Sequence, residues 1–164
     1  MPEKVSEPKL PRGLSRLAFR FPISLYHAHL GGLMGYRFVL LTHTGRKSGQ
    51  LRQNVLEVVR YDKATGGCIV ASGWGAKSDW FRNVTANPHI FFQIRGKRSA
   101  GIAERLSPDD AGRELLDYAR RHPFALRELA DFMGYKLTGN ETEDDVVAIG
   151  RTLPMFAFKP APES

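Results

Sequence analysis

Residues 37–61 read RFVLLTHTGRKSGQLRQNVLEVVRY, and this stretch decides the fold. Residues 37–43 and 51–61 are each apolar and β-branched enough to form a strand. The loop between them holds Gly45 and Gly49 around two adjacent cations and a hydroxyl. The pattern predicts two strands joined by a basic loop that contains glycine.

Further strand patterns follow along the chain, at residues 68–72, 89–95, 98–105 and 153–159. Gly96 and Lys97 form the predicted turn of a hairpin. Helices are predicted over 79–86, 108–121 and 123–133, and another starts after Thr142. Because strands and helices do not alternate, their order favours an α+β fold, with an antiparallel sheet closed into a barrel and helices outside.

The chain of 164 residues suits a single domain overall. Residues 1–36 are predicted to form an N-terminal arm and amphipathic helices, and residues 37–160 the barrel domain. Residues 11–30 place apolar side chains on one helical face and arginines opposite. Such a helix covers a hydrophobic core or lies on a membrane surface, so peripheral membrane contact stays open.

The formal net charge is +7, and residues 1–60 carry ten Lys or Arg against three acids. This local excess attracts phosphates, nucleic acid or an anionic membrane, or serves solubility alone. Nucleic-acid binding ranks last because the chain lacks interleaved exposed aromatics. The single cysteine excludes an intrachain disulfide, and no apolar run is long enough to span a bilayer. We predict a cytoplasmic protein, with a peripheral position at the inner membrane face left open.

The loop after the first strand has the chemistry of a phosphate site. Glycines let backbone N–H groups approach an oxyanion closely, and Arg46, Lys47 and Ser48 add charge and a hydroxyl. Arg52 and Asn54 share one face of the next strand because they are two residues apart. An exposed hairpin turn, basic for solubility, is the alternative.

A second segment places small residues before a helix. Ala71 and Ser72 end a predicted strand, and Lys77 adds a positive charge near the helix start. Trp80 and Asn83 lie on one face of that helix, where the alternative role for the aromatics is core packing. No metal site is predicted, and neither is a nucleophile with a neighbouring base.

One further histidine stands beside the basic loop. His43 ends the first predicted strand, and contact with a ligand is one interpretation of it. We favour the other interpretation, a hydrogen-bonded residue at the edge of the core.

Residues 41–54, the strand end at 71–72 and the helix segment 79–83 together resemble the deazaflavin-dependent nitroreductase family of actinobacteria. Residues 151–154 are similar to the segment that leads into that family's last strand, and the likeness covers residues 36–160. It implies a split β-barrel related to FMN-binding proteins. It also implies the coenzyme F-420, a deazaflavin with a phosphate and a polyglutamate tail, which passes a hydride to a quinone, nitro or enone acceptor.

Carried over by position, Arg46, Lys47 and Ser48 would hold the phosphate end of the coenzyme. Arg52 and Asn54 would border its ring. These roles are implications of the resemblance.

The resemblance also assigns residues around the ring's other edge. Ala71 and Ser72 would line that edge, and Trp80 and Asn83 would close the pocket. Backbone N–H groups near Ser72 would stabilise negative charge on the acceptor oxygen. Tyr135 would donate a proton, and a packed aromatic is the equal alternative at that position.

Two rivals to a deazaflavin reductase remain. The first is an oxidoreductase that binds flavin mononucleotide (FMN), as related proteins with the same barrel do. The second is a non-catalytic carrier of the deazaflavin or of an apolar ligand. The expected partner is a small-molecule hydride acceptor, and a homodimer stays open.

Overall fold

The computed structural model describes residues 36–72, 77–123, 127 and 135–162. Six strands in this part of the chain form a closed antiparallel barrel, in the order β1, β2, β3, β6, β5, β4 and back to β1. They are β1 Phe38–Thr44, β2 Leu51–Tyr61, β3 Cys68–Ala71, β4 His89–Ile94, β5 Lys97–Arg105 and β6 Met155–Pro160. The α+β class and the antiparallel barrel predicted from the sequence are thereby confirmed.

Three described helices accompany the barrel: α1 Asp79–Ala86, α2 Pro108–Arg121 and α3 Glu143–Thr152. The two longer ones begin at capping residues. The Ser107 hydroxyl accepts the N–H of Asp110 at 3.1 Å, and Thr142 forms a reciprocal capping box with Asp145. These side chains satisfy N–H groups that the first turn of a helix leaves without partners, which fixes where α2 and α3 start.

Helices α2 and α3 meet at two glycines. A Cβ atom on Gly150 would lie 2.7 Å from the Cα atom of Gly112 and 2.9 Å from the carbonyl oxygen of Ala111. The two backbones are therefore in direct contact, and this crossing leaves no room for a larger residue at either position.

The apolar interior forms two clusters, one inside the barrel and one between the sheet and the helices α2 and α3. The largest residues of the first are Leu41, Trp80, Phe81, Phe92, Phe156 and Phe158, and those of the second are Leu115, Tyr118, Tyr135, Ile149, Leu153 and Met155. Val58 packs in the first cluster and Val59 in the second, because successive residues of a strand face opposite sides of the sheet. A β-bulge interrupts the pairing of β2 with β3 between Val58 and Arg60.

All the predicted strands form, with ends shifted by one or two residues. The hairpin turn between β4 and β5 is made by Arg95 and Gly96, whose φ angles are 50° and 83°, and not by Gly96 and Lys97. Strand β6 begins at Met155 because α3 extends to Thr152.

The predicted arm and amphipathic helices of residues 1–36 lie outside the described residues, apart from Tyr36, as do most residues of the predicted 123–133 helix. Within the described part of the chain, no helix has the length and apolar character needed to cross a membrane.

Candidate functional site

The loop between β1 and β2 is closed by two backbone hydrogen bonds. The N–H of Gly45 donates to the carbonyl of Gln50 at 2.8 Å, and the N–H of Gly49 donates to the carbonyl of Gly45 at 2.9 Å. Gly49 has a φ of 71°, which favours glycine, and a Cβ on Gly45 would lie 2.7 Å from the Ser48 hydroxyl. Both glycines are needed for the tight loop that presents the basic residues.

A cleft of about 900 Å³ opens beside this loop, and we call it the anion cleft. Its walls come from the loop, β1, β2, α1 and β5. It is lined by Thr42, His43, Gly45, Arg46, Lys47, Ser48, Leu51, Arg52, Gln53, Asn54, Asp79, Asn83 and Arg98. The predicted binding residues that the structure brings together here are Arg46, Lys47, Ser48, Arg52, Asn54 and Asn83. That they bind a coenzyme stays a prediction.

Positive charge dominates the anion cleft. Lys47, Arg52 and Arg98 form no ion pair with any carboxylate among the described residues. Arg46 pairs with Asp79, with 3.3 Å between the guanidinium and the carboxylate. Four cations thus face one carboxylate, and that arrangement attracts an anion.

Arg98 is a cleft residue that sequence reasoning missed. It reaches the cleft because β4 lies between β5 and β1: Gln93 pairs with Arg98 on one side and with Leu40 on the other. The guanidinium of Arg98 also sits 4.3 Å from the ring centroid of Phe91. The only local signal was a cation next to the predicted hairpin turn.

A chain of buried polar contacts lies under the loop. The Nε2 atom of His43 is 2.8 Å from Oδ1 of Asn54, and its Nδ1 atom is 3.3 Å from Nδ2 of Asn83. Oδ1 of Asn83 accepts the main-chain N–H of Arg46 at 3.1 Å and the guanidinium of Arg46 at 2.8 Å. Burial lowers the pKa of His43 below its ordinary value of 6.5, so the imidazole is neutral at pH 7. His43 is thus the hydrogen-bonded core-edge histidine that the sequence predicted.

Ser72 follows β3 and is bonded to neighbouring parts of the fold. Its N–H donates to the carbonyl of Pro154 at 2.9 Å, and its hydroxyl lies 2.9 Å from that of Ser78. The N–H of Ser72 itself is therefore bonded inside the fold, and the stabilisation of an acceptor oxygen by backbone N–H groups near Ser72 stays a prediction. Ala71 pairs with Met155 at the end of β3, and neither Ala71 nor Ser72 lines the anion cleft.

Trp80 and Lys77 also lie apart from the anion cleft. Trp80 is 4% exposed, and its ring packs in the barrel cluster, with centroids 6.1 Å from Phe81 and 6.0 Å from Phe156. The apolar face of α1 turns Trp80 inward, as the core-packing alternative expects, and its contact with a coenzyme stays a prediction. Lys77 is exposed and does not line the cleft, and residues 73–76 lie outside the described chain.

Tyr135 is held by α3. Its hydroxyl is 3.0 Å from that of Thr152, which donates its own proton to the carbonyl of Ile149 at 2.7 Å. A hydroxyl has one proton, so Tyr135 must donate to Thr152. Tyr135 is 5% exposed in the second apolar cluster, which agrees with the packed-aromatic alternative, and its role as a proton donor stays a prediction.

A second cleft, of about 950 Å³, lies between β2 and the end of α2, and we call it the aromatic cleft. The rings of Tyr36 and Tyr61 stack there with centroids 4.3 Å apart. The hydroxyl of Tyr118 donates to Glu57 at 2.9 Å, and burial together with this bond raises the pKa of Tyr118. Its lining is Tyr36, Arg37, Glu57, Val58, Val59, Arg60, Tyr61, Lys63, Asp117, Tyr118, Arg121, His122 and Pro123. The sequence pattern did not single out Tyr118, because its helical position alone indicates only a core residue.

The sequence profile of the F420H(2)-dependent quinone reductase family matches residues 23–129 of this chain. The chain belongs to that family. Its members are described as reductases that depend on the reduced deazaflavin coenzyme F420, which agrees with the resemblance seen in the sequence. The family match makes the chain a deazaflavin-dependent oxidoreductase. No match was found among curated proteins.

Solved structures share the fold of this F420H(2)-dependent quinone reductase family member. An F420-H2 dependent reductase, FDR-A, is 21% identical with a TM-score of 0.51, over 75% of this chain and 94% of that one. A protein described as a domain-swapped dimer is 18% identical with a TM-score of 0.53, over 90% and 100%. Atu2129 from Agrobacterium tumefaciens, of unknown function, is 14% identical with a TM-score of 0.54, over 96% and 60%. At these identities the likeness supports the fold alone.

Proposed function

We propose that the chain binds the phosphate-bearing end of coenzyme F420 in the anion cleft and promotes hydride transfer to a quinone-type acceptor. The observation that carries this proposal is the set of three unpaired cations, Lys47, Arg52 and Arg98, around the glycine loop. The bound coenzyme supplies the hydride from its deazaflavin ring. Nitro and enone compounds are further acceptors under the same proposal.

The residues present fit a phosphate group. A Cβ on Gly49 would meet no described atom within 4 Å, so the loop backbone can be approached closely at this glycine. Arg52 and Arg98 offer forked N–H donors that suit phosphate oxygens, and Lys47 adds a point charge. The chain's part is to hold and orient the coenzyme, while the aromatic cleft can hold the acceptor.

Strand β2 connects the two clefts. Gln53 lines the anion cleft and Glu57 lines the aromatic cleft, and both lie on one face of β2 because they are four residues apart. Four residues of a strand span about 13 Å, so one elongated ligand can contact both. We place the acceptor in the aromatic cleft, where the stacked Tyr36 and Tyr61 offer a surface for a planar ring.

The decisive experiment is a calorimetric titration of the purified chain with coenzyme F420 and, separately, with FMN. We expect saturable binding of F420 at micromolar concentration and none of FMN. Binding of FMN alone would keep the fold and replace the cofactor. Binding of neither would overturn the reductase proposal and favour a carrier of apolar ligands.

The acceptor position predicts a kinetic separation. Tyr36→Ala should raise the KM for a quinone about threefold to tenfold, because a stacked aromatic surface is worth about 0.5–1.5 kcal/mol. The Kd for the coenzyme should not change. Ile102→Ala, another exposed apolar residue but on β5 and outside both clefts, is the matched control. An unchanged KM in Tyr36→Ala would remove the acceptor from the aromatic cleft.

A homodimer belongs to the same proposal. One solved structure with this fold is described as a domain-swapped dimer, and its assembly motivates the expectation. Light scattering during size-exclusion chromatography measures the mass in solution, and a monomer at all concentrations would contradict the expectation. The cytoplasmic location likewise stays a prediction.

A further inference from the structure

The hydrogen-bond pattern under the anion cleft determines the state of a histidine. Oδ1 of Asn83 receives two bonds from Arg46, at 3.1 Å from its main-chain N–H and at 2.8 Å from its guanidinium. The amide NH2 of Asn83 therefore faces Nδ1 of His43, at 3.3 Å. An NH2 group donates, so Nδ1 must be the unprotonated acceptor. The proton of the neutral ring is then on Nε2, and it donates to Oδ1 of Asn54 at 2.8 Å.

We propose that His43 is a positioning residue of the anion cleft: as a neutral ring protonated on Nε2, it orients Asn54 and Asn83 and, through Asn83, holds Arg46. The side chain of His43 is 2% exposed, so this role is carried out from beneath the cleft. The proposal rests on the proposed function only for the identity of the anion.

The orientation of Asn54 has a consequence for the ligand. Because His43 binds Oδ1 of Asn54, the NH2 group of Asn54 is the part left to donate into the cleft. Together with Lys47, Arg52 and Arg98 it gives the cleft a surface dominated by donors. Such a surface selects a group that only accepts hydrogen bonds, a phosphate or a carboxylate, and disfavours ligands that present N–H or O–H donors.

Protonation of His43 would undo the arrangement. An imidazolium donates from both nitrogens, so Nδ1–H would point at the NH2 of Asn83. Asn83 would have to flip, which would turn its NH2 group toward Arg46 and remove the acceptor that holds the loop. The charged groups that act on His43 are Arg52, which opposes protonation, and Asp79, which favours it.

The first test uses the protein without any ligand. Long-range 15N–1H correlation spectra distinguish the two neutral tautomers and the imidazolium, and we expect the Nε2–H form of His43 at about pH 7. An Nδ1–H form or an imidazolium would overturn the proposal. Asn83→Asp keeps an acceptor for Arg46 but cannot donate to Nδ1. In this variant we expect the pKa of His43 to rise, and an unchanged titration would also contradict the proposal.

The second test measures binding of coenzyme F420 and, as a simpler anion, inorganic pyrophosphate. His43→Phe should weaken both about fivefold to tenfold or more, since one lost hydrogen bond costs about 1 kcal/mol. His43→Gln can keep the donor to Asn54 and should recover part of the affinity. His89→Gln, at an exposed histidine outside both clefts, is the control.

The outcomes separate the two proposals. If the wild-type chain binds pyrophosphate but not F420, the proposed function fails while the histidine proposal is still tested by pyrophosphate and by the tautomer spectra. If wild type and His43→Phe bind F420 equally, the histidine proposal fails and the proposed function stands. Circular dichroism of each variant confirms folding, and the Asn83→Asp titration decides the question if His43→Phe does not fold.

Discussion

At the scale of single residues, the unpaired cations of the anion cleft offer the most direct measurement. Lys47 is exposed and contacts no carboxylate among the described residues, so its removal should not disturb the fold. Lys47→Ala should weaken coenzyme binding by about 1–3 kcal/mol, because a charge-assisted hydrogen bond is lost. Lys136→Ala, an exposed lysine outside both clefts, is the control. An equal Kd in the two variants would remove Lys47 from the phosphate site.

His43 also links folding to pH. Its pKa in the folded chain lies below the ordinary value of 6.5, so the unfolded chain takes up a proton first as the pH falls. The free energy of unfolding therefore falls as the pH drops below 6.5, until the folded-state pKa is reached, by about 1.4 kcal/mol for each pH unit. Denaturant titrations at several pH values measure this dependence. The free energy of unfolding should change less with pH in His43→Phe than in the His89→Gln control. An equal dependence on pH in the two variants would contradict a neutral, buried His43 ring.

Some cleft residues could be predicted from sequence because they are close along the chain. Arg46, Lys47 and Ser48 follow one another, and Arg52 shares the next strand face with Asn54. Their grouping needs only one loop and the two-residue period of a strand.

Other residues depend on long-range packing. Arg98 reaches the cleft only through the pairing of β4 with β1, which no local pattern reveals. The packing of Trp80 in the barrel cluster was unpredictable for a related reason: an apolar helix face indicates burial, but it does not indicate which cluster the face packs against.

At the scale of elements, the crossing of α2 and α3 is the contact that least tolerates a larger side chain. Gly150→Ala would place a Cβ 2.7 Å from Gly112, which requires the helices to separate. We expect a loss of about 1–3 kcal/mol in the free energy of unfolding, despite the better helix propensity of alanine. Ala148→Gly in the same helix should cost about 1 kcal/mol through propensity alone. Thermal and urea unfolding measure both, and a Gly150→Ala chain as stable as wild type would show that the helices can shift freely.

The helix starts were predictable because each cap is a local device. Ser107 precedes Pro108 and two acids, and Thr142 precedes three acids, so the N-terminal signals lie within four residues of sequence. The start of β6 was less predictable. Leu153 has the composition of a strand, yet its N–H bonds to the carbonyl of Gly150 and caps α3. Whether an apolar residue caps a helix or begins a strand depends on where the preceding helix packs.

At the scale of the whole molecule, the barrel followed from the order of the elements. Strands that do not alternate with helices favour antiparallel pairing, and the structure has that pairing throughout the described sheet. Val58 and Val59 pack in different clusters because successive residues of a strand face opposite sides of the sheet. The bulge between Val58 and Arg60 could not be foreseen, because no residue type at that point of β2 marks it.

Closure of the sheet has a consequence for how this molecule can meet others. Each of the six described strands has two hydrogen-bonded neighbours, yet β2 pairs with β3 only over Val58–Tyr61 and β5 pairs with β6 only over Gly101–Arg105. The strand edges without a described ladder are therefore the first residues of β2 and β5, which carry Arg52, Lys97 and Arg98. Charged side chains at an edge hinder pairing with a foreign extended peptide and growth of a fibril. A second copy can instead associate through side chains on the faces of the barrel, such as the exposed Leu51, Phe91 and Ile102.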